Sequence, residues 1–269
     1  MDILPSLVAS VLSNYFDIGK VSYKIERLRL RCGGSQAMTS SDEVDHFYAE
    51  TYERLMGRGA IGLFWRYIHS CLDRNSNCSS NTILLEIGAG HGQHFKLTSL
   101  RPALYIETDI RTSMGYSIPF RESDIQLQGH IKRFLDAESL SEIPSGTIDS
   151  IIVSCVLAHL SDPEKALTEW RRVLKPGGCL SLYVPCEPGL FLRLVRYFTT
   201  RRKMKSLGVV QADLHWLEHK NHYPAMSFLV QRTFSLDSTQ VRLFPFRYFL
   251  WDMNLFSLIK IIKTTSINR

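Results

Sequence analysis

No run of eighteen apolar residues occurs in the chain, so no helix read from it would cross a membrane. The start, Met1-Asp2-Ile3-Leu4-Pro5, has no basic stretch, and its apolar segment soon meets Asn14 and Asp17. A cleaved secretory signal is therefore not expected. The six cysteines (Cys32, Cys71, Cys78, Cys155, Cys179 and Cys186) include no C-x-x-C pair. Three of them sit in apolar, strand-like surroundings, and the reading is reduced, mostly buried thiols in a cytoplasmic protein. No internal repeat or low-complexity tract is visible. What is present is ordinary globular material: 269 residues, 45% hydrophobic and 22% charged. That balance excludes a disordered, collagen-like or coiled-coil chain. A formal charge of +6 favours anionic partners without identifying one.

The texture changes along the chain. A helix is expected from Ser41, with Val44, Phe47, Tyr48, Tyr52, Leu55 and Met56 recurring at helical spacing, and a second over Ile61 to Leu72. Beyond the polar loop at 75–81, short apolar runs alternate with helical patterns. Strands are expected at 82–87, 103–107, 129–135, 151–154 and 179–184, and two closing strands at 239–246 and 255–263. Asp162-Pro163-Glu164 opens a helix that Lys175-Pro176-Gly177-Gly178 should stop, and a later helix covers Tyr223 to Phe234. Strands separated by helices of ten to fifteen residues mean crossover units and a parallel sheet. The expected architecture is one α/β domain, a doubly wound, mostly parallel seven-stranded Rossmann-like sheet. Residues 1–80 form an N-terminal helical cap, and 81–269 form the core, with a helical, lid-like insertion after strand five at about 186–224.

Leu84-Leu85-Glu86-Ile87-Gly88-Ala89-Gly90-His91-Gly92 sits where the first strand turns into a helix. Glycines there let backbone approach a ligand, and a helix start offers free N–H groups. A dinucleotide fingerprint would need glycine or alanine at 93, which is Gln93. Acidic residues fall at the ends of the first three strands: Glu86, Asp109 and Asp136. In an open α/β sheet that edge holds the ligand crevice. Three carboxylates there suit a ligand with a ribose diol, an amino group and an exocyclic amine.

With the glycine loop, Asp109 and Asp136-Ala137-Glu138-Ser139-Leu140, the chain resembles class I S-adenosylmethionine-dependent methyltransferases of the small-molecule branch. Gly146 to Ile152, Leu157-Ala158-His159-Leu160 and Glu169 to Gly178 continue the resemblance, which covers residues 82 to about 185. It implies that S-adenosylmethionine is the cofactor. Glu86 would reach the methionine amino group, while Gly88, Ala89, Gly90 and Gly92 pass under the methionine and ribose. Asp109 would take the ribose hydroxyls, Asp136 the adenine amine, with the Ala137 N–H near the ring. Ser154 and Cys155 would line the wall beside the sulfonium. One departure is Glu107, where the family usually has glycine; it is the fallback ribose partner.

No Asn/Asp-Pro-Pro-aromatic motif follows strand four, where Ser154-Cys155-Val156-Leu157 stands, and this argues against a nucleic-acid base amine as acceptor. No specific nucleic acid is expected, and no metal. Candidate catalytic residues are His219 and Glu218 in the insertion and His159 after strand four, with Glu187 as a further candidate base. His91 and His94 read as helix-face residues. Between Gly189 and Gly208 lie Arg193, Arg196, Arg201, Arg202, Lys203 and Lys205 with interleaved aromatics and no acid. Such a helix suits an anionic surface or substrate. The expected reaction is methyl transfer to a small-molecule or saccharide acceptor, at oxygen. Two alternatives are a lipid or quinone methyltransferase with peripheral membrane contact, and a cofactor-binding protein without catalysis.

Overall fold

The computed structural model describes residues 47–48, 59–200, 204, 218–247 and 250–264. Of the helix expected from Ser41, only Phe47 and Tyr48 fall among these, and of the insertion, Arg201–Lys203 and 205–217 lie outside them.

Seven strands form one sheet in the order β3-β2-β1-β4-β5-β7-β6. They are β1 (Ile83–Ile87), β2 (Leu104–Asp109), β3 (Gly129–Phe134), β4 (Ile148–Ser154), β5 (Leu174–Pro185), β6 (Ser238–Phe244) and β7 (Phe256–Ile262). Strands β1 to β5 run parallel, and β7 pairs antiparallel with both β5 and β6. The sequence therefore leads outward through β1, β2 and β3 on one side, then restarts at β4 on the other. The crevice above β1 and β4 is the switch point where such sheets bind ligands.

Helices cover both faces because successive strand residues point to opposite sides. Leu84 packs with Ile68 and Leu72 of α1 (Gly59–Asn75), while its neighbour Leu85 packs with Leu167 and Trp170 of α3 (Pro163–Val173) and Val230 of α5 (Tyr223–Thr233). The short α2 (Gln93–Leu97) lies on the α1 side, and α4 (Leu190–Phe198) follows β5. Asp162 caps α3 by accepting from the Lys165 N–H, with Pro163 in the first turn, as its spacing indicates. The helix stops ahead of Lys175-Pro176-Gly177-Gly178 as expected, but the start of the next strand is corrected from Cys179. β5 begins at Leu174, and those four residues form an irregularity in it, between the pairs Ile148↔Leu174 and Ser150↔Cys179. Gly177 takes the left-handed conformation this requires. No helix among the described residues is long and apolar enough to cross a membrane.

Candidate functional site at the carboxyl ends of the strands

Gly88, Gly90 and Gly92 all have positive φ, at 68°, 55° and 67°. Their surroundings differ. A Cβ on Gly88 would lie 2.3 Å from Cγ2 of Val156, and one on Gly92 would lie 2.2 Å from Oε1 of Glu107. These two glycines let the loop close against the tips of β4 and β2. A Cβ on Gly90 would meet only Sδ of Met114 at 4.0 Å, so Gly90 faces open space. Beside it, the buried Asp109 accepts from the Gly90 N–H with one carboxylate oxygen and from the Arg111 N–H with the other, each at 2.9 Å. The Ala89 N–H donates to the Thr108 carbonyl and holds the loop over β2.

The departure at Glu107 has a structural reason. Its wholly buried carboxylate occupies the room that Gly92 leaves, and it takes His130 Nε2 at 2.6 Å and Lys132 Nζ at 3.3 Å. Asp109, nearer the strand end, is the acid beside the open face of the loop. On the other flank, Asp136 accepts from the Glu138 N–H, and Trp170 donates its indole N–H to the Ala137 carbonyl at 2.9 Å. The pair Asp136-Ala137 is thereby fixed to α3. Ser154 ends β4, and Cys155 follows with φ 64°. Burial, then the negative Glu187, push the Cys155 thiol up to about 12, so it stays protonated and is no nucleophile.

Glu86 lies beneath the loop, almost fully buried, and its Oε2 accepts from Tyr105 Oη at 2.7 Å. Burial pushes its pKa up to about 7, against the opposing pull of His94 and the Tyr105 hydrogen bond. His94 lies on helix α2 as expected, on a face that is wholly buried. It lies against His69 Nδ1 at 2.9 Å and Asp73 Oδ1 at 3.0 Å, both on α1. His91 sits in the turn ahead of α2, with Nε2 2.5 Å from the Tyr48 carbonyl oxygen. A pH dependence follows. With a folded pKa near 7 against an ordinary 4.5, Glu86 is stabilising as the neutral acid. Its contribution is complete below about pH 4.5 and is lost as pH rises through 7. Glu86→Gln, which cannot ionise, should gain on the parent over that interval by ~3 kcal/mol. Denaturant melts of both proteins at pH 4.5 to 8 check this.

The acceptor side is assembled from segments far apart in sequence. The residues after the insertion are pinned to the turn after β4. The Lys220 and Asn221 N–H groups donate to the Ala158 carbonyl, and the Asn221 side chain donates to the Leu157 and Leu160 carbonyls at 2.9 and 2.7 Å. The Tyr223 N–H donates to the Glu187 carbonyl, so both ends of the insertion meet there. This brings the three candidate catalytic residues together. The His159 and His219 rings sit edge to face with centroids 4.7 Å apart. Glu218 Oε2 lies 3.4 Å from His159 Nδ1 and accepts from Arg111 Nη2 at 2.7 Å. The buried Glu187 carboxylate engages both His219 Nδ1 and Arg196.

Their electrostatics separate the roles. Burial, then the neighbouring His219, hold His159 below its ordinary pKa despite Glu218, so its imidazole is neutral. Burial opposes charge on Glu218, but His159 and Arg111 outweigh it and the carboxyl stays below its usual range. Glu218 is thus a paired anion that places Arg111, whose guanidinium also stacks 4.4 Å over the Tyr48 ring. The Glu187–His219 pair is the arrangement that can take a proton, because a carboxylate accepting from Nδ1–H puts the imidazole lone pair on Nε2. No local sequence signal marks Arg111 or Met114, and Val156 stands out only as part of the run that follows β4. Among the described residues no group of three or more His, Cys, Asp or Glu is placed to hold a metal ion.

Residues 85–182 match the methyltransferase domain family. Over that span the chain is similar to methyltransferases, and its sheet has the class I methyltransferase fold. The matched span runs from β1 to the middle of β5 and holds the glycine loop, Asp109, Asp136 and the β4 tip. A thiol S-methyltransferase from Homo sapiens, TMT1B, is 31% identical over 124 residues, which cover 43% of this chain and 47% of that protein. The chain thus spans about half the length of that curated relative. The chain also superposes on phosphoethanolamine N-methyltransferase 2 from Haemonchus contortus, in a complex with S-adenosyl-L-methionine. There the TM-score is 0.55 at 16% identity, covering 85% of this chain and 61% of that one. The N-methyltransferase NodS from Bradyrhizobium japonicum gives 0.53 at 14% identity, covering 83% and 98%. These likenesses establish the fold of the methyltransferase domain.

Proposed function

We propose that the chain transfers a methyl group from S-adenosylmethionine to the hydroxyl of a small molecule or saccharide. The single observation behind the acceptor side is the buried Glu187–His219 pair, set next to the β4 tip at Cys155. The cofactor fits the residues present. Gly90 offers an open backbone cradle where a side chain would intrude. Asp109, at its edge, is already oriented by two backbone N–H groups and keeps lone pairs for a ribose diol. Asp136 and the Ala137 N–H stand on the next strand end for the adenine. When bound, the cofactor supplies a methyl group on a positively charged sulfur, already activated for attack.

The protein's own work is then positioning and proton removal. Gly88 and Gly92 close the loop on Val156 and Glu107, which fixes the cradle. Asn221 holds His219 against the β4 side of the crevice through the 157–160 turn. His219 Nε2 takes the acceptor proton, and Glu187 stabilises the imidazolium that results. Arg196, bound to the other side of Glu187, keeps that carboxylate aimed. His159 packs edge-on and restricts the His219 ring to one orientation.

A base matters more for a hydroxyl than for a thiol, whose pKa near 8.5 leaves about a few per cent ionised at neutral pH unaided. A thiol acceptor is the second reading, favoured by the likeness to the human thiol S-methyltransferase. Incubating the purified chain with methyl-labelled S-adenosylmethionine and matched hydroxyl and thiol acceptors separates the two. Labelled hydroxyl products from the parent, lost in His219→Ala, are the expected result. Labelled thiol products formed equally by parent and variant would replace the hydroxyl reading with the thiol one. Absence of any labelled product would leave a protein that binds the cofactor without catalysis.

A further inference from the structure

Helix α4 is amphipathic in an unusual sense: its outward face is the apolar one. Leu190, Leu194, Tyr197 and Phe198 follow the i, i+4, i+7, i+8 spacing of one helical stripe and are each between 51% and 56% exposed. The inward face carries Leu192, which is buried, and Arg196, which engages Glu187. Beside the stripe lies the loop between β6 and β7, where Leu250 is 75% exposed and Met253 38%. The two segments form one surface. The Phe191 and Phe246 rings lie 5.6 Å apart, and a Cβ on Gly189 would come within 3.1 Å of the Asp252 backbone. Six large apolar side chains are thus exposed on this surface, on and beside the helix whose Arg196 engages Glu187 of the Glu187–His219 pair.

The charges around this face have one prevailing sign. Arg193 projects from the exposed side of α4, and Arg247 is exposed in the loop. The sequence has no acid between Gly189 and Ala212, and the only acid in the 244–253 loop is the half-buried Asp252. A helix with an aliphatic and aromatic outer stripe, flanked by arginine and lacking carboxylates, has the composition that partitions into the interface of an anionic bilayer. We infer that α4 and the 244–253 loop dock this protein on an anionic phospholipid surface. The inner face of the same helix holds Glu187, so docking would set the acceptor side of the site against the lipid headgroups. This inference does not depend on the proposed reaction, because its test needs neither acceptor nor turnover.

The test is co-sedimentation of the full chain with phosphatidylcholine vesicles, with and without phosphatidylglycerol. Binding is expected only with the anionic lipid and should weaken as salt rises. Leu194→Glu and Leu250→Glu, made separately, should each lower vesicle partitioning about tenfold or more, since each puts a carboxylate into the buried interface. Leu236→Glu is the control: Leu236 is 79% exposed but precedes β6, at the opposite end of that strand from the loop after it, and partitioning should not change. Circular dichroism melts of each variant exclude unfolding as the cause. No binding to anionic vesicles, or binding that neither substitution weakens, would overturn the inference. So would a chain that sediments as a dimer and becomes a monomer in Leu194→Glu, because a second copy would then be the occupant.

Discussion

Gly90→Arg is expected to abolish S-adenosylmethionine binding, and all methyl transfer with it, in a protein that still unfolds cooperatively. Two features of Gly90 separate these effects. Its φ of 55° lies in the left-handed region, where a residue with a side chain is strained by about 1–2 kcal/mol. That strain is tolerable for a domain stabilised by ~5–15 kcal/mol. The substituted Cβ would meet nothing closer than Met114 Sδ at 4.0 Å, so the chain can still fold around it. The guanidinium would then extend into the cradle beside Asp109, where it can pair with the carboxylate proposed to hold the ribose. Gly88→Ala and Gly92→Ala should behave differently. Their Cβ atoms would collide with Val156 at 2.3 Å and Glu107 at 2.2 Å, so they should lose stability as well as binding. Calorimetric titration with parallel thermal melts reads both quantities. A Gly90→Arg protein that binds the cofactor normally would remove the glycine loop from the site.

His219→Ala should lower turnover about 10²–10⁴-fold, the usual worth of a general base. Cofactor affinity should stay within about 0.5 kcal/mol, because His219 lies outside the strand tips that form the cofactor side. The substitution leaves Glu187 paired with Arg196, so no uncompensated buried charge is created. That makes it a cleaner probe than Glu187→Ala, which would strand both Arg196 and His219. If instead KM rises with kcat unchanged, His219 binds the acceptor and does not take its proton.

What could be read from the sequence was local. The β1 strand and its glycine turn are contiguous, so apolar run, glycine spacing and following acid could be found without knowing the fold. The crossover rhythm likewise led to the parallel sheet, because strand and helix periods are properties of short windows. The misses are long-range. The burial of His94 is one, because nothing near it in sequence reveals that His69 and Asp73 pack against it from α1. Arg111 carries no motif, and its role appears only when Glu218, over a hundred residues later, returns to it. The Pro-Gly-Gly break was rightly seen as the end of a helix, but pairing of β5 with both β4 and β7 draws those residues into the sheet. His219 and Glu218 were picked from the insertion for their chemistry. The Asn221 bonds that bring them to His159 are tertiary and had no sequence signature.

One calorimetric titration tests the cofactor site most directly: S-adenosylmethionine into the purified chain and into Asp109→Ala. Saturable one-site binding to the parent is the expected result. In the variant, loss of a charge-assisted bond to the ribose diol should weaken binding by roughly 1.5–3 kcal/mol, about ten- to a hundredfold. No saturable heat with the parent, or equal affinity in both proteins, would contradict it.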